Sequence, residues 1–216
     1  MPEAWWVRFG SKLVKQKLSP VRVAPVTRMG LYSAGIPERY WGASVKKIKK
    51  APFLKTLRSY LQYVHQQHQS GMGLYMYGTF STGKTSAAVA ILKEVMRRGG
   101  SAYFLSARRV LRAAYDGDQT IDGDGLVRDR IKQVDMLLFD DLGTEGFDAA
   151  KHGGAVLEGV FRDRYDKGLP TLVTSQHAPA SMKATYPAAI ANILNRILVA
   201  LRVETDQWKP KQNMKE

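Results

Sequence analysis

Two short stretches of this sequence gather the residue types that hold a triphosphate and a hard cation: Gly78-Thr79-Phe80-Ser81-Thr82-Gly83-Lys84-Thr85 and Asp140-Asp141. The first has the spacing of a phosphate-binding loop: a glycine, four residues, then Gly-Lys-Thr. Glycines at both ends let the backbone curl so that successive N–H groups converge on a β-phosphate. A helix opening at Lys84 and running on through Ser86 turns its positive end to the same point. Lys84 is placed to neutralise the β- and γ-phosphates, and Thr85 carries the hydroxyl that Mg²⁺ takes as a ligand.

The acid pair closes a continuous apolar stretch, residues 134–139, that reads as a buried strand. An acid at such a tip meets Mg²⁺ through its water shell, the role of Asp140. A second beside it orients and deprotonates the attacking water, the role of Asp141. Paired acids in a loop are ordinarily a turn or a cap, and the apolar run directly before these argues against that. A further strand, residues 171–174, presents Ser175-Gln176 at its end, where the Gln176 amide can hydrogen-bond a γ-phosphate or the hydrolytic water.

Strands alternating with helices must position these groups. Residues 73–77 form the strand entering the loop, and the helix leaving it ends at Gly99-Gly100. Residues 102–105 form the next strand, and Ser106 caps a helix to about Tyr115 that displays Arg108, Arg109 and Arg112. Residues 116–125 are an acidic, glycine-rich loop lacking the order of a calcium-binding loop. Helices follow over 157–165 and 188–200, the latter carrying Arg196, and residues 201–204 form a last strand. An apolar helical face also precedes the core, from Phe53 to about His68. This alternation predicts an α/β fold, a mostly parallel sheet wrapped on both faces.

At 216 residues and 44% hydrophobic, the chain suits one α/β core with a small appendage. It has no cysteine, which excludes a disulfide framework and a thiolate zinc site. No apolar run approaches the roughly 20 residues of a membrane span, and no signal peptide is evident, so a cytoplasmic protein is expected. The net charge of +14 is uneven: residues 1–60 hold 13 Lys or Arg against only Glu3 and Glu38. Such a block suits nucleic acid or an acidic partner. Trp5, Trp6, Phe9 and Leu13 recur at near-helical spacing among cations, so residues 1–18 form an amphipathic helix for stacked bases, a partner's groove or the chain's own core. We divide the chain into a basic arm and linker, 1–50, and a nucleotide-binding core, 51–216.

Five passages carry a resemblance. AGIPERY before the core, GLYMYGTFSTGKT at the loop, VDMLLFDDLGTE at the acids, RYDKGLPTLVTSQ at the next strand and NRI near the end resemble the DnaC/IstB-like branch of AAA+ ATPases. That family holds bacterial and phage helicase loaders and transposition regulators, and the likeness runs from about Gly35 to Lys209. Asp140-Asp141-Leu142-Gly143 is its most specific mark. The resemblance implies a five-stranded AAA+ core, ATP with Mg²⁺, ATP hydrolysis, assembly of copies on DNA, and Arg196 as an arginine finger reaching into a neighbour's site. It departs at Gln176, where the family carries Thr-Ser-Asn, and in the few residues after Arg202, which leave no room for a full helical lid. The expectation is an ATP-dependent helicase loader that binds single-stranded DNA and a replicative helicase. The alternative is an IstB-like transposition regulator that coats duplex DNA and meets a transposase.

Overall fold

A computed structural model describes residues 25–48, 53–66, 71–109, 131–144 and 147–204. The expected helix over 1–18, Arg112 and the 116–125 loop lie outside them.

Five strands form one sheet: β1 (Gly73–Tyr77), β2 (Ala102–Ser106), β3 (Met136–Leu142), β4 (Thr171–Ser175) and β5 (Leu198–Arg202). Their order is β2-β3-β4-β1-β5, and every neighbouring pair is parallel. The expected sheet is therefore present and wholly parallel. The order also has a mechanical consequence. β1 leaves for its helix from inside the sheet, between β4 and β5, and β3 ends one strand away across β4, so the loop and the acid pair meet at one carboxyl edge.

Strand side chains alternate between two cores. Leu74, Met76, Phe104, Met136, Leu138 and Leu172 face one side, against helix α3 (Lys84–Arg97). Tyr75, Leu105, Leu137, Phe139 and Val173 face the other, against α4 (Phe147–Asp166) and α6 (Ala188–Ile197). Burial on both faces explains why the strands read as unbroken apolar runs instead of alternating ones.

The segment before the core is partly built into it. Helix α1 (Arg28–Ser33), the 3₁₀ turns Glu38–Tyr40 and Val45–Lys47, and α2 (Leu54–Gln66) lie on the α3 side. Leu31, Ala34, Ile36, Ile48, Leu57 and Leu61 are buried there. The Phe104 N–H of β2 donates to Ala34 O at 2.8 Å. Lys93 of α3 donates to Trp41 O and, at 2.8 Å, to Ala43 O.

Two boundaries differ from the sequence reading. The last long helix ends at Ile197 rather than Ala200, and β5 starts at Leu198 rather than Leu201. Leu198 is already extended, and residues from Leu198 to Arg202 pair in register with β1 from Gly73 to Tyr77. An apolar run carries no period that marks such a junction; the free edge of β1 fixes it. β3 likewise begins at Met136 and runs through both acids to Leu142. A short helix, α5 (Met182–Thr185), links β4 to α6.

Candidate functional site

The loop between β1 and α3 is wound tightly on its lysine. Gly78 and Gly83 have φ of 154° and 88°, and Ser81 takes a left-handed φ of 60°. A Cβ on Gly78 would stand 2.3 Å from Val203 O, while the Val203 N–H donates to Tyr77 O at 2.7 Å. The chain leaving β5 thus braces the mouth of the loop, and only glycine fits between them. Thr82 Oγ1 donates to Thr79 O at 3.0 Å. Lys84 is buried at the base of α3, and its Nζ donates to Gly78 O at 2.9 Å and Thr79 O at 2.7 Å. Burial pulls its ammonium below the ordinary lysine range, while the charges of Asp141 and Asp140 push the other way. Phe80, at the tip, is 79% exposed.

Asp140 joins the loop to the sheet. Thr85 Oγ1 donates to Asp140 Oδ1 at 2.8 Å, and Thr174 Oγ1 of β4 donates to the same oxygen at 2.6 Å. Oδ2 of this buried carboxylate takes no hydrogen bond from a described residue. Burial pushes Asp140 above the usual carboxylate range, the Thr174 and Thr85 hydroxyls oppose that, Asp141 adds to it and Arg39 opposes it. A hydroxyl and a carboxylate, both oxygen donors, side by side with one carboxylate oxygen unengaged, suit a Mg²⁺ ion and its water shell. The lysine and the N-terminus of α3 beside them suit phosphates.

Asp141 stands apart from this bridge. It has a left-handed φ of 64°, its N–H donates to Thr174 Oγ1 at 2.8 Å, and Thr144 Oγ1 donates to its carbonyl at 2.9 Å. Asp140 and Asp141 consequently face different surroundings, one buried against Thr85 and one half-exposed at the turn. That divergence is what different roles require.

The structure brings Gly78, Thr79, Phe80, Ser81, Thr82, Gly83, Lys84, Thr85, Ser86, Asp140 and Asp141 to one edge. Gln176 follows β4 at that edge with an exposed side chain. Arg196 is exposed in the last turn of α6 and makes no ion pair with a described residue. Two contributors escaped the sequence reading. Thr174 contacts both acids, and its signal was a hydroxyl inside an otherwise apolar strand. Ser175 fixes the turn beyond them, donating to Leu142 O at 2.7 Å and accepting the His177 N–H at 3.0 Å.

Comparison with known proteins bears on the family and the fold. Replicative helicase loader DnaI of Bacillus subtilis is 29% identical over 115 residues, 52% of this chain and 36% of that protein. A protein named for ATP binding in an insertion sequence, Rv3427c of Mycobacterium tuberculosis, is 27% identical over 131 residues, 60% of this chain and 51% of its own. The chain thus matches only about a third to a half of the length of these relatives. The crystal structure of the DnaC helicase loader superposes with a TM-score of 0.65 at 21% identity, covering 78% of this chain and 100% of that one, which establishes a shared fold. The family described as IstB-like ATP binding protein matches residues 47–213, from before α2 to beyond β5, and the chain belongs to it.

Proposed function

We propose that this chain is an ATP-hydrolysing switch that loads a replicative helicase on single-stranded DNA, with copies assembling through interfaces that nucleotide bridges. The observation that carries the ATPase reading is the Thr85–Asp140–Thr174 bridge, which ties the phosphate loop to the acid-bearing strand beside a separately held Asp141. Bound ATP with Mg²⁺ supplies the phosphoryl group and the cation that offsets its charge. Lys84 exchanges its loop carbonyls for β- and γ-phosphate oxygens, Thr85 and Asp140 hold the cation and its waters, and Asp141 accepts the proton of the attacking water. Gln176 meets the γ-phosphate or that water, and Arg196 serves a neighbouring copy. The likeness to DnaI supports the loader role. The basic charge of residues 1–60 supports a nucleic-acid partner, and both features support work in the cytoplasm.

A second reading, a transposition regulator that coats duplex DNA, is favoured by the insertion-sequence relative and by the family itself. Capture assays with the host's replicative helicase and with a transposase encoded beside this gene separate the two: retention of the helicase supports the loader, and retention of the transposase alone overturns it. For the chemistry, Asp141→Asn keeps ATP affinity and slows hydrolysis by about 10²- to 10⁴-fold, since an amide holds water without accepting its proton. Parental turnover in that variant would remove Asp141 from the mechanism.

A further inference from the structure

Asp141 is connected to the exposed Arg108 by hydrogen bonds that meet on the two sides of Thr144. Thr144 Oγ1 lies 2.9 Å from Asp141 O and 3.3 Å from Asp141 Oδ2, so its single proton is shared between the carbonyl and the carboxylate. The Thr144 carbonyl in turn accepts from Arg108 Nη2 at 3.2 Å. Arg108 is exposed, in the helical residues that follow β2. That strand ends at the same carboxyl edge, with Ser106 paired to Asp140. The turn between Asp141 and Thr144 holds two left-handed residues, Asp141 at 64° and Gly143 at 93°. An aspartate tolerates that conformation without preferring it, so the turn is kept in place by its hydrogen bonds. Thr174 holds it from the sheet, and Thr144 with Arg108 holds it from outside.

From this connection we infer that Arg108 binds a phosphodiester of single-stranded DNA and that Thr144 is a positioning residue which relays its occupancy to Asp141. The inference rests on the reading of Asp141 as the base and adds how DNA reaches it. A guanidinium engages a phosphate through two parallel bonds to opposite charge, against the single bond it makes to this neutral carbonyl. A strand laid along this edge therefore draws Arg108 off Thr144. The turn then loses its outer brace, and the 3.3 Å contact to Oδ2, the longest of these hydrogen bonds, yields first. Without DNA the Asp141 carboxylate is held to the turn; with DNA it is released to meet water. The same contacts therefore restrain hydrolysis at rest and couple it to the strand.

The test is ATP turnover of the full chain with and without oligodeoxythymidylate, alongside the affinities for that oligonucleotide and for ATP. Thr144→Val, which keeps the shape and removes the hydroxyl, raises DNA-free turnover on the order of threefold or more, from the loss of one hydrogen bond. It brings the DNA-stimulated ratio toward one, with both affinities unchanged. Thr144→Ser retains the parental ratio. Arg108→Gln lowers oligonucleotide affinity and also flattens the ratio. Lower turnover in Thr144→Val with the ratio intact would overturn the relay, as would parental affinity and ratio in Arg108→Gln or a parental protein that DNA does not stimulate. Asp141→Asn separates the layers. If it has lost hydrolysis while Thr144→Val keeps the parental ratio, the relay alone fails; if it hydrolyses at the parental rate, the base assignment fails and takes the relay with it.

Discussion

Lys84 rests on the carbonyls of its own loop, and those contacts satisfy a buried ammonium whose proposed partners are phosphates. Lys84→Ala removes that cation and leaves the phosphate charge unopposed, so tight ATP binding is lost. Titration with a fluorescent nucleotide reads it, and unchanged affinity would withdraw the loop's assignment. Lys84, Asp140 and Asp141 were legible because each sits at a fixed offset from a strand end, which a single sequence records. Arg164 was not legible. It reads as one more charge on an exposed helix, yet it is fully buried, donating to Ile131 O, Val134 O, Pro170 O and Thr171 Oγ1 at 2.8 to 3.0 Å. Burial pulls its guanidinium down to about 10. Its fork ties α4 to the segments that open β3 and β4, at the opposite end of those strands from the acid pair and Gln176. Arg164→Met fills the volume and orphans three carbonyls at about 1–3 kcal/mol each. We expect at least about 3 kcal/mol of lost stability, read from the denaturant midpoint. A loss under about 1 kcal/mol would mean that water reaches those carbonyls.

At the scale of elements, the sheet order does what the motifs alone cannot. β5 pairs with β1 along its whole length and sends Val203 across the mouth of the phosphate loop. The sequence reading began this strand too late and so gave it no part in the site. The reason is physical: from Ile197 to Leu201 the chain is wholly apolar, and only the free edge of β1 decides where helix gives way to strand. The β1–loop–α3 unit was legible because glycine punctuation and a change of period coincide there. Gly78→Ala tests the brace, because its Cβ would meet Val203 O at 2.3 Å. Relief requires β5 to shift or the loop to open, at about the 1–3 kcal/mol of an overpacked site. ATP affinity falls together with a modest drop in melting temperature. A variant that melts earlier yet binds ATP as the parent does would make the brace structural only.

At the scale of the whole molecule, the described residues gather the phosphate loop and the acid pair at one edge and leave some groups exposed. Arg196 makes no ion pair with a described residue, and Phe80 stands out from the phosphate loop. Assembly of copies is an expectation from family likeness alone, because no periodicity or composition encodes which surface meets a second copy. An arginine supplied by a neighbour predicts a particular failure and a particular rescue. Arg196→Ala protein binds ATP, since its loop is intact, and loses hydrolysis on the order of 10³-fold, the scale of an arginine finger in P-loop enzymes. Lys84→Ala protein fails for the opposite reason, having an empty site but a sound finger. When the two are mixed on single-stranded DNA, some interfaces pair the intact loop of one variant with the intact Arg196 of the other, and hydrolysis returns with a maximum at intermediate ratios. An Arg196 that served its own site would give no such maximum, because each protein would carry a defect that no neighbour could supply. ATPase activity across the mixing series, in assemblies confirmed by sedimentation to contain both variants, distinguishes the two arrangements.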